Sequence, residues 1–151
     1  MGKVIVVGAG IAGVTCAREL IQAGHDVDIR ERAKAVGGRM AAPRVEGRRV
    51  DIGASYFTAS DPDFVAQVDD WCARGLARRW TDRFPELTEQ GRHELSPGPW
   101  RYATPGGLRS LVADIADAAA ATIRLDQLVT RIQSGPLNAK FENGNWPVNN
   151  S

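Results

Sequence analysis

The sequence is poor in the residues that build disulfides and metal sites. Its 151 residues include two cysteines, Cys16 and Cys72, and two histidines. The cysteines belong to no Cys-x-x-Cys pair, which excludes a zinc ribbon or a thioredoxin-like motif. A metal site would have to rest on carboxylates, and no spacing of acidic residues indicates one. We therefore predict no metal and a location in a reducing cytoplasm.

The chain also lacks a long apolar run and an excess of one charge. No stretch approaches the roughly 20 apolar residues that span a bilayer, and the run 4–7 is too short for a signal-peptide core. The formal net charge of +1 gives no strong field for nucleic acid or an anionic membrane. The arginines between Arg74 and Arg101 are interpreted as solvated surface. The expected partner is a small-molecule substrate, with no nucleic acid and no membrane.

What the sequence does contain is a strand, a glycine-rich turn and a helix at its start. Residues 4–7 are a continuous β-branched run, typical of a strand buried on both faces of a parallel sheet. Apolar residues recur at helical spacing between Ile11 and Ala23, and Gly24 is placed to end that helix. A second strand over 26–31 follows directly. This order predicts a right-handed βαβ unit.

The turn Gly8-Ala9-Gly10-Ile11-Ala12-Gly13 has the glycine spacing of a dinucleotide-binding loop. Gly8 would allow the tight turn, Gly10 would let the backbone approach a pyrophosphate, and Gly13 would let the helix pack close to the strand. The free amides and the helix dipole would hold the diphosphate without a lysine. Glu31, eighteen residues beyond Gly13, stands where a carboxylate can bind both ribose hydroxyls and repel a 2′-phosphate. NADP is therefore disfavoured.

Further segments resemble the FAD-binding signature of the flavin amine oxidases, and of their renalase-like branch in particular. In the segment 36–40, Val-Gly-Gly-Arg-Met, the resemblance implies glycines that allow close backbone approach and an arginine, Arg39, that helps to hold the pyrophosphate. The segment 50–57 resembles the family's Asp-x-Gly-Ala-x-Tyr-Phe pattern, which implies that it runs beside the flavin ring. Looser resemblances at 102–108 and 128–132 imply a return to the cofactor domain near the adenine.

The resemblance thus implies FAD as the cofactor and a set of residues along it: Gly8, Gly10, Ile11, Ala12, Gly13, Glu31, Arg32, Gly38, Arg39, Met40, Gly53, Ala54, Ser55, Tyr56 and Val129. Judged from the residues alone, other interpretations stay open. The glycine turn and Glu31 could be a glycine-rich loop and a surface glutamate, and Arg39 could be a solvated loop arginine. Tyr56 and Phe57 could pack into the core, and Val129 could be a buried strand residue. No catalytic residue is identified.

The remaining elements are predicted from local patterns. A ribbon is expected near Val45 and Val50. Asp61-Pro62 predicts a helix start, with the helix running to about Arg74. Residues 76–105 predict short antiparallel strands. A helix after Gly107, running to about Ala121, strands at 122–125 and 128–132, and an Asn-Gly hairpin over 141–146 complete the pattern. The residues expected to be buried on the helix after Pro62 are Phe64, Val65, Val68, Trp71 and Cys72.

The predicted fold class is α/β: an FAD-binding Rossmann-like, three-layer domain with the start of an antiparallel substrate domain. The expected division is an FAD-binding half at 1–58, a partial substrate segment at 59–104 and a return into the FAD-binding domain at 105–151. A complete two-domain flavin oxidase needs roughly 300 residues. The chain is therefore expected to be truncated, with a missing carboxy-terminal half or a partner chain.

The function implied by the resemblance is that of an FAD-dependent oxidoreductase of the renalase-like amine oxidase type. A hydride would pass from a small amine or a dihydronicotinamide to the flavin, followed by reoxidation with oxygen. No serine lies in a Gly-x-Ser-x-Gly elbow, which argues against a hydrolase. Two alternatives remain: an NAD-dependent dehydrogenase that uses the same βαβ unit, and a non-catalytic fragment that binds FAD or another nucleotide.

Overall fold

The computed structural model describes residues 2–89, 91–94, 97–133, 138–141 and 144–147. Within these ranges no helix is both long enough and apolar enough to cross a membrane. The elements in chain order are β1 (Lys3–Val7), α1 (Ile11–Gln22), β2 (Asp26–Arg30), a 3-10 turn (Gly38–Met40), β3 (Arg44–Val45), β4 (Arg48–Arg49), α2 (Pro62–Ala73), β5 (Arg78–Thr81), β6 (Pro85–Thr88), β7 (Gly91–Glu94), β8 (Arg101–Ala103), α3 (Arg109–Ala119), β9 (Thr122–Arg124), β10 (Val129–Gln133), β11 (Asn138–Phe141) and β12 (Gly144–Pro147).

The predicted βαβ unit forms the centre of the fold. β1 and β2 pair in parallel, from Lys3 opposite Asp26 to Val7 opposite Arg30, and α1 connects them. β9 pairs in parallel with the other edge of β2, so the strand order of this sheet is β1-β2-β9. Parallel neighbours joined through helices are the hallmark of a doubly wound sheet. The Rossmann-like α/β fold class is confirmed.

β1 is less buried than its apolar sequence predicts. Residues 4–6 are half-buried, and Val7 is 51% exposed. Among the described strands β1 pairs with β2 alone, so it lies at the edge of the sheet. At an edge, one flank of the strand has no neighbour whose side chains extend the cover of its two faces, whatever its composition. The prediction of a strand buried on both faces was therefore wrong for this part of the chain.

The core lies where α1 and α3 pack together. Val14 and Ala17 are the buried residues of α1, whereas Cys16 is exposed although it follows the helical spacing. Gly24, at φ +85°, follows the end of the helix as predicted. α3 contributes the wider apolar stripe, and the buried residues in and next to it are Leu108, Leu111, Val112, Ile115, Ala116 and Ala119.

α2 begins as predicted at an aspartate cap followed by proline. The carboxylate of Asp61 accepts hydrogen bonds from the amides of Asp63 and Phe64, and Pro62 occupies the first helical position. Val68 and Trp71 are buried, but Phe64 and Val65 are more than a third exposed. The expected burial of these two was wrong because they lie in the first turn, at the margin of the core. Cys72 is half-buried.

The antiparallel pairs also form where the sequence predicted them. β3 pairs with β4, β5 with β8, and β6 with β7. β10, β11 and β12 form a separate antiparallel sheet in which Phe141 lies opposite Gly144. The hairpin is confirmed, but Gly144, which was predicted for its turn, pairs with Phe141 as the first residue of β12, and Asn143 lies outside the described residues. The division at 58 and 104 into cofactor and substrate segments stays a prediction.

Candidate functional site

Two glycines of the turn allow β1 and α1 to be joined by a tight turn and to pack closely. Gly8 has φ +97°, a conformation that glycine adopts without strain, and its amide donates to the carbonyl of Arg30 at 2.7 Å. A side chain at Gly13 would overlap the carbonyl oxygen of Gly8. These two glycines therefore have the turn and packing roles that their spacing predicted.

The start of α1 is open to a ligand. Gly10 is the N-cap residue, and no side chain caps the helix. Its carbonyl accepts from the amide of Val14, and the structure records no acceptor for the amides of Ala12 and Gly13 within the described ranges. Ile11 and Ala12 are exposed. Unpaired amides at the positive end of a helix dipole favour an anionic group.

Glu31 is buried beneath the turn and bound to backbone on both sides. One carboxylate oxygen accepts from the amide of Ala9 at 2.7 Å, and the other accepts from the amide of Ala33, also at 2.7 Å. Only 7% of the residue is exposed. Each carboxylate oxygen has two lone pairs, so both retain capacity for a further donor. Glu31 thus shapes the glycine turn itself, a role that the sequence analysis did not anticipate.

The Gly-Gly-Arg segment lies against the glycine turn. Gly37 donates its amide to the carbonyl of Ala9 at 2.9 Å, and the two backbones form a bridge at Gly10. A side chain at Gly38, where φ is +55°, would come within 3.2 Å of the Gly10 Cα. The glycines therefore permit backbone-to-backbone contact within the protein. Arg39 remains exposed.

Residues 51–54 pack against the Gly-Gly-Arg segment, also by backbone contacts; these segments together are the backbone layer. The amide of Ala54 donates to the carbonyl of Arg39 at 3.0 Å, and a side chain at Gly53 would overlap that same carbonyl. Ser55 and Tyr56 are exposed. Phe57 turns inward, stacking on Tyr102 at 5.4 Å between ring centroids. The alternative in which Tyr56 and Phe57 pack into the core therefore holds for Phe57 and not for Tyr56.

Two residues that sequence reasoning missed hold this layer in place. Asp51 accepts a hydrogen bond from the amide of Leu108 at 2.8 Å, at the start of α3. Arg109 donates from Nε to the carbonyl of Val36 at 3.0 Å. Both contacts join α3 to the segments that precede α2. The only sequence signal for them is their position, one in the Asp-x-Gly-Ala motif and one just after Pro-Gly-Gly-Leu.

The carboxyl ends of β1 and β2 and the start of β10 enclose a cavity of about 270 Å³. Four of the predicted cofactor residues line it: Gly8, Glu31, Arg32 and Val129. Exposed Arg32 also lines a neighbouring cavity of about 480 Å³ with Ala33, Asp126 and Leu128. Ligands of doubly wound sheets bind at this end of the strands. The cavity does not include Ser55 or Tyr56.

A buried ion pair stiffens the floor of the cavity. Arg30 donates to Asp28 at 2.7 Å, and both side chains are at least nine-tenths buried. Arg124 donates to the same carboxylate oxygen at 3.1 Å. The two guanidinium groups offset the buried charges of Asp28 and of Glu31, which lines the same cavity as Arg30.

The site fits a dinucleotide on observations of the structure itself. The amides at the start of α1 supply donors for a diphosphate, the cavity next to Glu31 has room for a nucleoside, and Gly10 leaves the approach to those amides free of a side chain. Gly8, Glu31, Arg32 and Val129 come together at one end. Gly38 to Met40 and Gly53 to Tyr56 lie along the layer that leads away from the turn.

Residues 6–71 match the family described as the NAD(P)-binding Rossmann-like domain. A curated relative of Mycobacterium tuberculosis that is named a flavin-containing monoamine oxidase, AofH, is 32% identical over 116 residues, which are 66% of this chain and 25% of the relative. The (S)-6-hydroxynicotine oxidase of Paenarthrobacter nicotinovorans is 30% identical over 153 residues, covering 99% of this chain and 34% of that protein. The chain spans about a quarter to a third of the length of these relatives.

A solved structure adds a comparison of folds. The CLA-producing fatty acid isomerase from P. acnes superposes with a TM-score of 0.74, covering 96% of this chain and 56% of that chain, at 15% identity. At such low identity the superposition shows the fold alone.

Proposed function

We propose that the chain is part of an FAD-dependent oxidoreductase of the amine oxidase family, of the renalase-like type, and that it binds FAD. When bound, FAD supplies a hydride acceptor that returns its electrons to oxygen. The protein's contribution is to bind and orient the cofactor and to exclude water from it.

The observation that carries the proposal is the convergence of separate segments on one cleft. The open start of α1 supports a diphosphate site, and the cavity between Gly8, Glu31 and Val129 supports an adenosine site. Glu31 binds the ribose through its remaining lone pairs, while its bonds to Ala9 and Ala33 fix its position. Because β10 brings Val129 to the same cavity as β1 and β2, its backbone would hold the adenine.

The segments 38–40 and 53–56 bind the parts of the cofactor beyond the adenosine. Gly38, Arg39 and Met40 lie beside Gly10, where the exposed guanidinium of Arg39 pairs with a phosphate oxygen. Gly53 and Ala54 rest on the backbone of Arg39 and leave Ser55 and Tyr56 exposed beyond them. In this arrangement the flavin ring lies beside 53–56.

The proposed substrate is a small amine or a dihydronicotinamide, bound on the side of residues 59–104. Residues 1–58 and 105–151 together hold the cofactor, consistent with the pairing of β9 with β2 and the packing of α3 on α1. A carboxy-terminal half or a partner chain completes the substrate side, and we place the protein in the cytoplasm.

The test is to add FAD to the purified chain, remove free FAD, and add substrate without oxygen. A yellow chain whose visible absorption bleaches with a small amine or a dihydronicotinamide, and returns in air, supports the proposal. A yellow chain that no substrate bleaches supports the non-catalytic fragment. A colourless chain that turns over a substrate with NAD supports the dehydrogenase, and contradicts the proposal.

A further inference from the structure

Three aromatic side chains next to the proposed flavin side form a mutual cluster. The ring centroids of Tyr56 and Trp80 are 6.0 Å apart, those of Tyr56 and Phe84 are 5.6 Å apart, and those of Trp80 and Phe84 are 5.5 Å apart. Tyr56 is 39% exposed and Trp80 is 47% exposed. This aromatic cluster is therefore a packed unit that remains open to a ligand on one side.

Arg101 covers the aromatic cluster from the start of β8. Its guanidinium carbon lies 4.3 Å from the Phe84 centroid and 5.7 Å from the Tyr56 centroid. The pairing of β8 with β5 fixes this position, because Arg101 lies opposite Thr81. The earlier interpretation of Arg101 as solvated surface was wrong, since a strand register and two rings hold it in place.

The charge of Arg101 has no matching carboxylate in the described part of the chain. Its Nε and Nη1 atoms are buried, and neither has a hydrogen-bond partner there. An arginine stays protonated at any physiological pH, so burial cannot neutralise it. Ring faces attract a cation but accept no hydrogen bond of ordinary strength in the plane of the guanidinium.

Other arginines of the same region have a different environment. Arg74 is paired with Asp70 and Asp114, and Arg83 lies 3.6 Å from Asp82. Arg79 lies over Trp100 at 5.3 Å and is exposed to water. Arg101 lies among ring faces without an anionic partner in the described residues, so an anionic ligand would balance its charge. Arg101 is thus the arginine whose surroundings point to an anionic ligand.

We propose that Arg101 and the aromatic cluster bind a carboxylate that is attached to a flat or apolar group. The carboxylate pairs with the charge of the half-buried guanidinium, and the apolar group covers the exposed faces of Tyr56 and Trp80. A carboxylate is favoured over a phosphate because one guanidinium matches its single charge. This inference rests on the proposed function: beside residues 53–56, the ligand is the substrate, an amine that also carries a carboxylate.

The test uses the whole chain and benzoate as the probe, with binding followed by calorimetry and by tryptophan fluorescence. Benzoate should bind at least tenfold more tightly than benzyl alcohol, which has the ring without the charge, and than inorganic phosphate. Arg101→Gln should lower the benzoate affinity at least tenfold, and Arg101→Lys should retain part of the affinity that Arg101→Gln loses. Arg79→Gln is the matched control, because it removes a ring-stacked arginine outside the cluster, and should leave benzoate binding unchanged.

Equal affinity for benzoate and benzyl alcohol, equal affinity for phosphate, or an unchanged Arg101→Gln variant would each overturn the inference. If Arg101→Gln does not fold, the comparison of benzoate, benzyl alcohol and phosphate on the unaltered chain still tests the inference. FAD affinity is measured in the same samples to separate the two proposals. Arg101-dependent benzoate binding without FAD binding would contradict the proposed function and support the carboxylate site. FAD binding without selective benzoate binding would support FAD binding and contradict the carboxylate site.

Discussion

Two glycines of the turn differ in what a side chain would meet. At Gly13 a β-carbon would overlap the carbonyl oxygen of Gly8, an atom of the backbone that cannot move aside. At Gly10 the nearest neighbour of a β-carbon would be the Gly38 Cα at 3.9 Å, an ordinary contact distance. Gly13 is therefore required by the fold, whereas Gly10 leaves space that the fold itself does not use.

Gly13→Ala should destabilise the protein although alanine is the better helix former. Helix propensity alone would stabilise α1 by about 1 kcal/mol. The overlap with Gly8 opposes it, and overpacking of this kind costs about 1–3 kcal/mol or more. Because the obstacle is backbone, we expect the free energy of unfolding to fall. Urea denaturation measures it, with Gly98→Ala as control, since a β-carbon there would meet the Asp82 carbonyl only at 3.6 Å.

Glu31→Gln should lower the free energy of unfolding even without FAD. A glutamine keeps one acceptor oxygen and directs an N–H₂ group at one of the amides of Ala9 and Ala33. Leaving a buried donor without an acceptor costs about 1–3 kcal/mol. Glu46→Gln, at an exposed position, is the matched control in thermal denaturation of the apoprotein. Equal stability of the two variants would contradict the structural role given to Glu31.

At the scale of elements, α2 and α3 are joined by one polar cluster at the margin of the core. Asp114 of α3 accepts two hydrogen bonds from Arg74, each 2.7 Å long, and one from the Trp71 ring nitrogen at 2.9 Å. The Arg74 guanidinium holds the pKa of Asp114 below its ordinary value, although partial burial acts in the opposite direction. The cluster therefore depends on an ionised Asp114.

Asp114→Asn should weaken the protein at neutral pH and matter less in acid. A pKa that is lower in the folded state stabilises the fold above the unfolded pKa of about 3.9, and that contribution is lost as the pH falls through the folded value. Because Arg74 is half exposed, we expect a loss of about 1–2 kcal/mol at pH 7. Urea denaturation at several pH values, with Asp117→Asn as control, measures it. A difference that stays constant into acid would show that Asp114 acts by packing alone.

The elements with a local chemical signal were predictable from the sequence. The helix after Asp61-Pro62 and the helix before Gly24 form as predicted, because caps and end signals act within one turn. The burial of β1 was not predictable in this way. Its sequence suits an interior strand, but burial depends on which strand lies next to it, and among the described strands its neighbour is β2 alone.

At the scale of the whole molecule, the site depends on contacts between segments far apart in sequence. The glycine turn, Glu31 and Val129 could be placed together from spacing and resemblance, since parallel strands end at one edge. The contacts of Arg109 with the Val36 carbonyl and of Asp51 with the Leu108 amide had no local signal. The pairing of Arg101 with the aromatic cluster was missed for the same reason. Such contacts depend on tertiary packing.

The central claim is that the open start of α1 and the adjoining cavity hold the diphosphate and adenosine of FAD. The most direct test is an FAD titration of the apoprotein, comparing the unaltered chain with Gly10→Ala and with Gly98→Ala. The space next to Gly10 predicts a folded variant, with a stability loss below about 1 kcal/mol for alanine at an N-cap. Its FAD affinity should fall at least tenfold while Gly98→Ala binds normally. A folded Gly10→Ala that binds FAD as tightly as the unaltered chain would contradict the account.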